Sequence, residues 1–239
     1  MTADPIDIEE LRAARERVLG RIADACARAG RDPAGVTLVA VSKTVPVERV
    51  RAAVAAGLTT LGENRVQEGE DKAAVTGATW HLVGPLQSNK AKRALETFDV
   101  IQTVDSVALA ERLDRLAAEV RPGTRVPVLI QVNVDRDPAK AGFDPDGLAT
   151  AAAALGGLGR LDVRGLMTVG RLVDRAEDAR PTFAALSELS ERLRRGWPGL
   201  GSELSMGMTD DFAVAVEEGA TIVRVGRALF GERPPVAHA

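Results

Sequence analysis

Strand-length apolar runs alternate with segments of helical spacing along almost the whole chain, and this alternation limits the fold more than any other feature. The first run, Val36 to Ser42, is apolar through both faces, as in a strand of a parallel sheet covered on both sides. Seven more lie near Thr59–Glu63, Thr79–Val83, Val100–Thr103, Val126–Val132, Leu161–Met167, Ser202–Ser205 and Thr221–Val225. Between them, helices are predicted to start at Val47, Val66, Asn89, Val107, Pro145, Ala176 and Asp210, several with Pro, Ser, Asp or Thr at the N-terminal positions. Ahead of the first strand, Ile8, Leu11, Val18, Leu19, Ile22 and Cys26 mark a helix from Ile6 to Gly30, stopped by Gly30 and Asp32-Pro33. Eight strands with helical crossovers in 239 residues favour a closed (β/α)8 barrel of the TIM type, with one extra N-terminal helix, over an open Rossmann sheet. The whole chain, 1–239, reads as a single barrel domain, with 234–239 as a loose tail beginning at Pro234-Pro235.

Charge and cysteine content exclude several function classes. A formal net charge of −3, with acids and bases interspersed, leaves no basic stripe for nucleic acid or an anionic membrane. The single cysteine, Cys26, cannot form an internal disulfide, and the acidic start without an apolar stretch points to a cytoplasmic protein. No run approaches the roughly 18 apolar residues of a membrane span. With His81 and His238 as the only histidines, metal ligation is poorly supported. A serine hydrolase is set aside too, since Glu203-Leu204-Ser205-Met206-Gly207 lacks the first glycine of a nucleophile elbow.

In such a barrel the active site lies at the C-terminal ends of the strands, so polar residues there carry the most weight. Alternation places Val39, Val41 and Lys43 on one side of the first strand, so an inward Val39 directs Lys43 to the barrel mouth. Partial burial there would lower the amine pKa and free a nucleophile able to condense with an aldehyde. A surface lysine, or one bonded to a carboxylate, fits the spacing as well. The loops after strands seven and eight are the usual phosphate sites of these barrels, and here they carry Ser205, Gly207 and Thr209, then Arg224 and Gly226. A lysine that seeks an aldehyde, combined with a phosphate cradle, points to pyridoxal 5′-phosphate (PLP). Plainer readings stand beside these: Thr209 as a helix cap, Ser205 as a buried strand hydroxyl, Gly226 as a packing glycine, His81 as a satisfied core histidine, and Met206 and Met208 as packing. A buried Arg224 requires a partner, and the plainer reading gives it Glu63 or another carboxylate. Lys90, Lys92 and Arg93 read as a solvated helix face.

Taken together, Val39-Ala40-Val41-Ser42-Lys43, Gly62-Glu63-Asn64 with Val66-Gln67-Glu68, Trp80-His81 through Lys90, Gly165-Leu166-Met167, Leu204 to Met208 with Asp210-Asp211, and Arg224-Val225-Gly226 resemble the PLP homeostasis family. That family is related to the N-terminal barrel of alanine racemase, so the resemblance implies a fold-type III PLP protein. It further implies that Lys43 forms a Schiff base with PLP and that Asn64 lies beside the ring. Arg224 would face the pyridine nitrogen, and Ser205, Gly207 and Gly226 would hold the phosphate. Arg65 and Arg227 depart from the family pattern, which usually has an aromatic and a small hydroxyl residue there.

Racemases of the related fold use a tyrosine from a second domain or subunit as the opposing base. This chain has no tyrosine and runs only fourteen residues past Val225, so the expectation is a monomeric carrier that controls PLP supply to apo-enzymes, with no catalytic residue. A low-activity PLP-dependent racemase or lyase, and a PLP-free phosphate-binding isomerase or aldolase, remain the alternatives.

Overall fold

The computed structural model describes residues 5–74 and 76–231. Its eight strands are β1 (Thr37–Val41), β2 (Thr60–Glu63), β3 (Thr79–Leu82), β4 (Val100–Val104), β5 (Val126–Gln131), β6 (Leu161–Met167), β7 (Glu203–Ser205) and β8 (Ile222–Val225). They pair in sequence order, all parallel, and β8 returns to β1 with Val39 beside Arg224, closing the barrel. The (β/α)8 expectation is met, and the two short strands on which the count depended, β2 and β7, are both present.

Pleat alternation sorts the strand residues into two cores. Val39, Val83, Leu129, Met167 and Ile222 form a compact inner cluster, with Val41 and Val169 against it. Their immediate neighbours Leu38, Ala40, Leu82, Val128, Ile130, Leu166 and Val223 belong instead to the larger layer between strands and helices. Each fully buried Leu, Ile, Val or Phe in that layer contributes about 1.5–3 kcal/mol relative to exposure.

The helices are α1 (Pro5–Arg28), α2 (Val47–Ala55), α3 (Val66–Ala73), α4 (Ala91–Thr97), α5 (Val107–Val120), α6 (Pro145–Gly156), α7 (Arg180–Gly196), α8 (Phe212–Glu217) and α9 (Arg227–Phe230). Four of them start where the sequence predicts, at Val47, Val66, Val107 and Pro145. The segments at Ser88–Lys90 and Ala176–Ala179 are single 3-10 turns that lead into α4 and α7. Four-residue α9 is too short to leave a periodic signal. Helix α1 buries Leu11, Ala14, Val18, Ile22, Ala25 and Cys26, a stripe of i, i+3/i+4 spacing, against α2, α8 and α9. Beyond its end, the Arg31 guanidinium donates to the carbonyls of Val216 and Ala220, covering the C-terminal end of α8. The expected loose tail, 234–239, lies outside the described residues.

Candidate functional site

Lys43 sits two residues beyond β1, half-buried, in a segment gripped from both sides by α3. On one side Lys72 Nζ donates to the Ser42 carbonyl at 2.8 Å and to Glu63 Oε1 at 2.5 Å, while Ser42 Oγ donates to the same carboxylate oxygen at 2.8 Å. On the other, the Thr44 N–H donates to Glu68 Oε2 at 3.1 Å, and Thr44 Oγ1 donates to the Lys43 carbonyl at 2.6 Å. Thr44 adopts φ 64°, a left-handed conformation that a branched residue occupies only when its surroundings impose it. Burial pushes the Glu63 carboxyl pKa up, and the hydrogen bond from Lys72 opposes the shift.

Arg224 lies within the barrel, 5% exposed. Its guanidinium donates to Ser205 Oγ at 2.7 Å and to the Thr168 carbonyl at 2.7 Å. Among the described residues it forms no ion pair with a carboxylate. Desolvation lowers its pKa to about 10, with the more distant charge of Asp211 acting in the opposite direction. The plainer expectation of Glu63 or another carboxylate as its partner is therefore not met among the described residues. The side of β2 that faces the barrel interior carries Gly62, which abuts Val39 and Val41, so pleat alternation turns Glu63 outward to Lys72.

Ser205 is fully buried, and its Oγ donates to Gln102 Oε1 at 2.6 Å, so the hydroxyl proton is engaged inside the barrel. Gln102 Nε2 in turn lies 2.7 Å from His81 Nδ1. His81 is thus an interior histidine held at Nδ1, and desolvation lowers its pKa to about 4. Met206 is buried in the core, consistent with packing.

Gly207 has φ 88°, and a Cβ there would come within 2.5 Å of Ala215 Cβ and 2.9 Å of Phe212 Cα, so backbone conformation and the approach of α8 both demand glycine. Thr209 does not cap α8. The residue before the helix is Asp211, whose buried carboxylate accepts from the Met208 N–H at 2.6 Å, and Thr209 lies half-exposed in the intervening turn. Asp210 is exposed and pairs with Arg227. Gly226 follows β8 where a Cβ would lie 3.2 Å from the Val41 carbonyl, so the chain passes close over the end of β1. Asn64 is half-buried at the end of β2, its N–H donating to Glu63 Oε2 at 3.3 Å. Arg65 is exposed and lies 3.7 Å from Glu68. Lys92 and Arg93 are exposed and pair with Glu119 and Glu70, as a solvated helix face should.

Lys43, Asn64, Ser205, Gly207, Arg224 and Gly226 thus occupy the C-terminal halves and ends of β7, β8, β1 and β2, four consecutive staves of the closed barrel. Sequence reasoning missed Gln102, Thr168 and Lys72. Gln102 had left a signal, a polar residue inside the apolar run Val100 to Val104. Lys72 had left none, because a lysine on a helix reads as solvated until its burial is seen. Among the described residues no cluster of metal-ligating side chains occurs, and no helix is long and apolar enough to cross a membrane.

Residues 19–234 match the family of the alanine racemase N-terminal domain. A pyridoxal phosphate homeostasis protein of Pseudomonas aeruginosa is 43% identical over 222 residues, covering 91% of this chain and 93% of its own. PipY of Synechococcus elongatus, solved with PLP bound, is similar at 44% identity and a TM-score of 0.78, over 88% of this chain and 100% of that one. An alanine racemase of Clostridium difficile shares the fold at TM-score 0.73 and 16% identity, over 95% of this chain and 57% of its own. The chain belongs to the alanine racemase N-terminal domain family, in the group formed by the pyridoxal phosphate homeostasis proteins.

Proposed function

We propose that this chain binds PLP at the mouth of its barrel through Lys43 and serves PLP homeostasis, holding the cofactor and releasing it to apo-enzymes without turning over substrate. The observation that carries this reading is the Arg224 guanidinium, buried among neutral acceptors with no carboxylate beside it among the described residues. A charge so placed calls for a ligand with an exposed lone pair, and a pyridine nitrogen provides one. Lys43 stands at the neighbouring strand end, where its amine would add to the ligand's aldehyde carbon and water would leave, forming an imine.

PLP when bound supplies an electrophilic carbon and an electron sink in its ring. The residues here limit the second. A fixed positive charge from Arg224 disfavours a proton on the ring nitrogen, which weakens the sink and favours storage over carbanion chemistry. The lack of any tyrosine in the chain removes the usual opposing base of a racemase. Asn64 would flank the ring, and the backbones at Gly207 and Gly226 would admit the phosphate. Ser205 could donate to that phosphate only by turning its proton away from Gln102.

Borohydride reduction of the purified protein with PLP, followed by peptide mass mapping, tests the assignment. A pyridoxyl label on Lys43 is expected, as is loss of the visible band in Lys43→Ala. A label elsewhere, or none, overturns it. Racemisation or cleavage of amino acids that disappears in Lys43→Ala would instead make the protein a PLP enzyme.

A further inference from the structure

Inside the barrel, below the proposed cofactor site, four side chains from four strands form a continuous chain of hydrogen bonds. It runs from Arg224 on β8 to Ser205 on β7, then Gln102 on β4 and His81 on β3. Its direction follows from two facts: a guanidinium only donates, and the Gln102 amide turns its oxygen to Ser205. Ser205 Oγ therefore accepts from Arg224 and spends its single proton on Gln102 Oε1. The amide must then present Nε2 to the imidazole, and His81 Nδ1 must be an acceptor, which leaves the ring proton on Nε2.

We infer that Ser205, Gln102 and His81 are positioning residues for Arg224, a one-way relay that fixes the guanidinium where it would face the cofactor's ring nitrogen. Each link is buried and accounts for the next one's donor or acceptor, so no member can turn without leaving another unsatisfied. Gln102 is the pivotal link, because its amide accepts from Ser205 at one end and donates to His81 at the other, joining the two halves of the chain. The role of Arg224 in the relay rests on the PLP reading above, whereas the direction of the relay does not.

Two measurements separate the two. Long-range 15N–1H NMR on the cofactor-free protein reads the histidine tautomers directly, and with only two histidines in the chain, His238→Gln assigns the signals. His81 is expected as the Nε2–H tautomer. In Gln102→Glu a carboxylate oxygen would face Nδ1 and require a proton there, so His81 should change to Nδ1–H or imidazolium. An Nδ1–H ring in the parent protein, or no change in Gln102→Glu, overturns the relay.

The second measurement uses PLP and pyridoxal, which lacks the phosphate. Gln102→Met and Ser205→Ala should each weaken both ligands by about tenfold and shift the visible band, with Ser205→Thr restoring it. Parent-like bands and affinities in Gln102→Met overturn the positioning role. Loss in Ser205→Ala confined to PLP makes Ser205 a phosphate contact and overturns its place in the relay. Failure of the parent protein to bind PLP overturns the functional reading, and the NMR result then decides the relay alone.

Discussion

Beside Lys43 lies a buried ion pair whose removal by halves and as a whole should differ sharply. In Lys72→Met the buried Glu63 carboxylate loses its counter-ion and keeps only neutral donors, and the Ser42 carbonyl loses one of its two donors. Leaving one member of such a pair unpaired costs about 3–5 kcal/mol, so urea unfolding should show a loss of that size. The double variant Glu63→Gln/Lys72→Met should recover more than half of it, since no uncompensated charge remains. Thr44→Gly should gain about 1 kcal/mol in the same measurement, because glycine occupies φ 64° without the strain. The inward facing of Val39 and Val41, which directs attention to Lys43, was legible in the sequence through strand parity. The partner of Arg224 was not. That assignment needed the facing of Glu63, and the clue lay in Gly62, whose missing side chain makes room for Val39 and Val41 and so marks the inner face of β2.

At the level of elements, the turn between β7 and α8 is the most sharply constrained. Gly207→Ala meets both a positive φ and the backbone of Phe212, and should cost about 2 kcal/mol or more. Thermal melting should register that as a drop of about 4–8 °C. Strand and helix positions were readable wherever apolar spacing continued for a turn or more. Caps were less so: Thr209 has the composition of a helix start, yet Asp211 claims the Met208 N–H and the helix begins one residue later. Both patterns satisfy the same local rule, and the burial of Asp211 in the folded chain is what selects between them.

For the whole molecule, the buried histidine ties stability to acidity. His81 has its pKa lowered to about 4 from 6.5, so between those values the unfolded chain binds a proton that the folded chain refuses. Its contribution to stability is therefore present above pH 6.5 and declines as pH falls, levelling off below about 4, with a total near 3 kcal/mol. Glu63 and Asp211, whose pKa values are raised, act with the opposite sign, so the comparison should be between parent and His81→Asn. The stability difference between those two proteins should change by about 3 kcal/mol from pH 7 to pH 4. Barrel closure was legible as a count of strands, and so was the gathering of the candidate residues at strand ends. The interior relay was not, because it depends on which staves face one another across the lumen, a relation that spacing along the chain does not record.

Closure also sets the order in which the protein can become competent. The first strand leads to Lys43, and the last carries Arg224 and Gly226, whose backbone rests over the Val41 carbonyl. Until that seam forms, the lysine stands at the end of an unfinished sheet. A nascent chain emerging from the ribosome therefore exposes the proposed anchoring lysine early and the proposed cradle last. On the proposed assignment, stable capture of a ligand across that seam would follow the synthesis and docking of β8, so that loading would occur after folding.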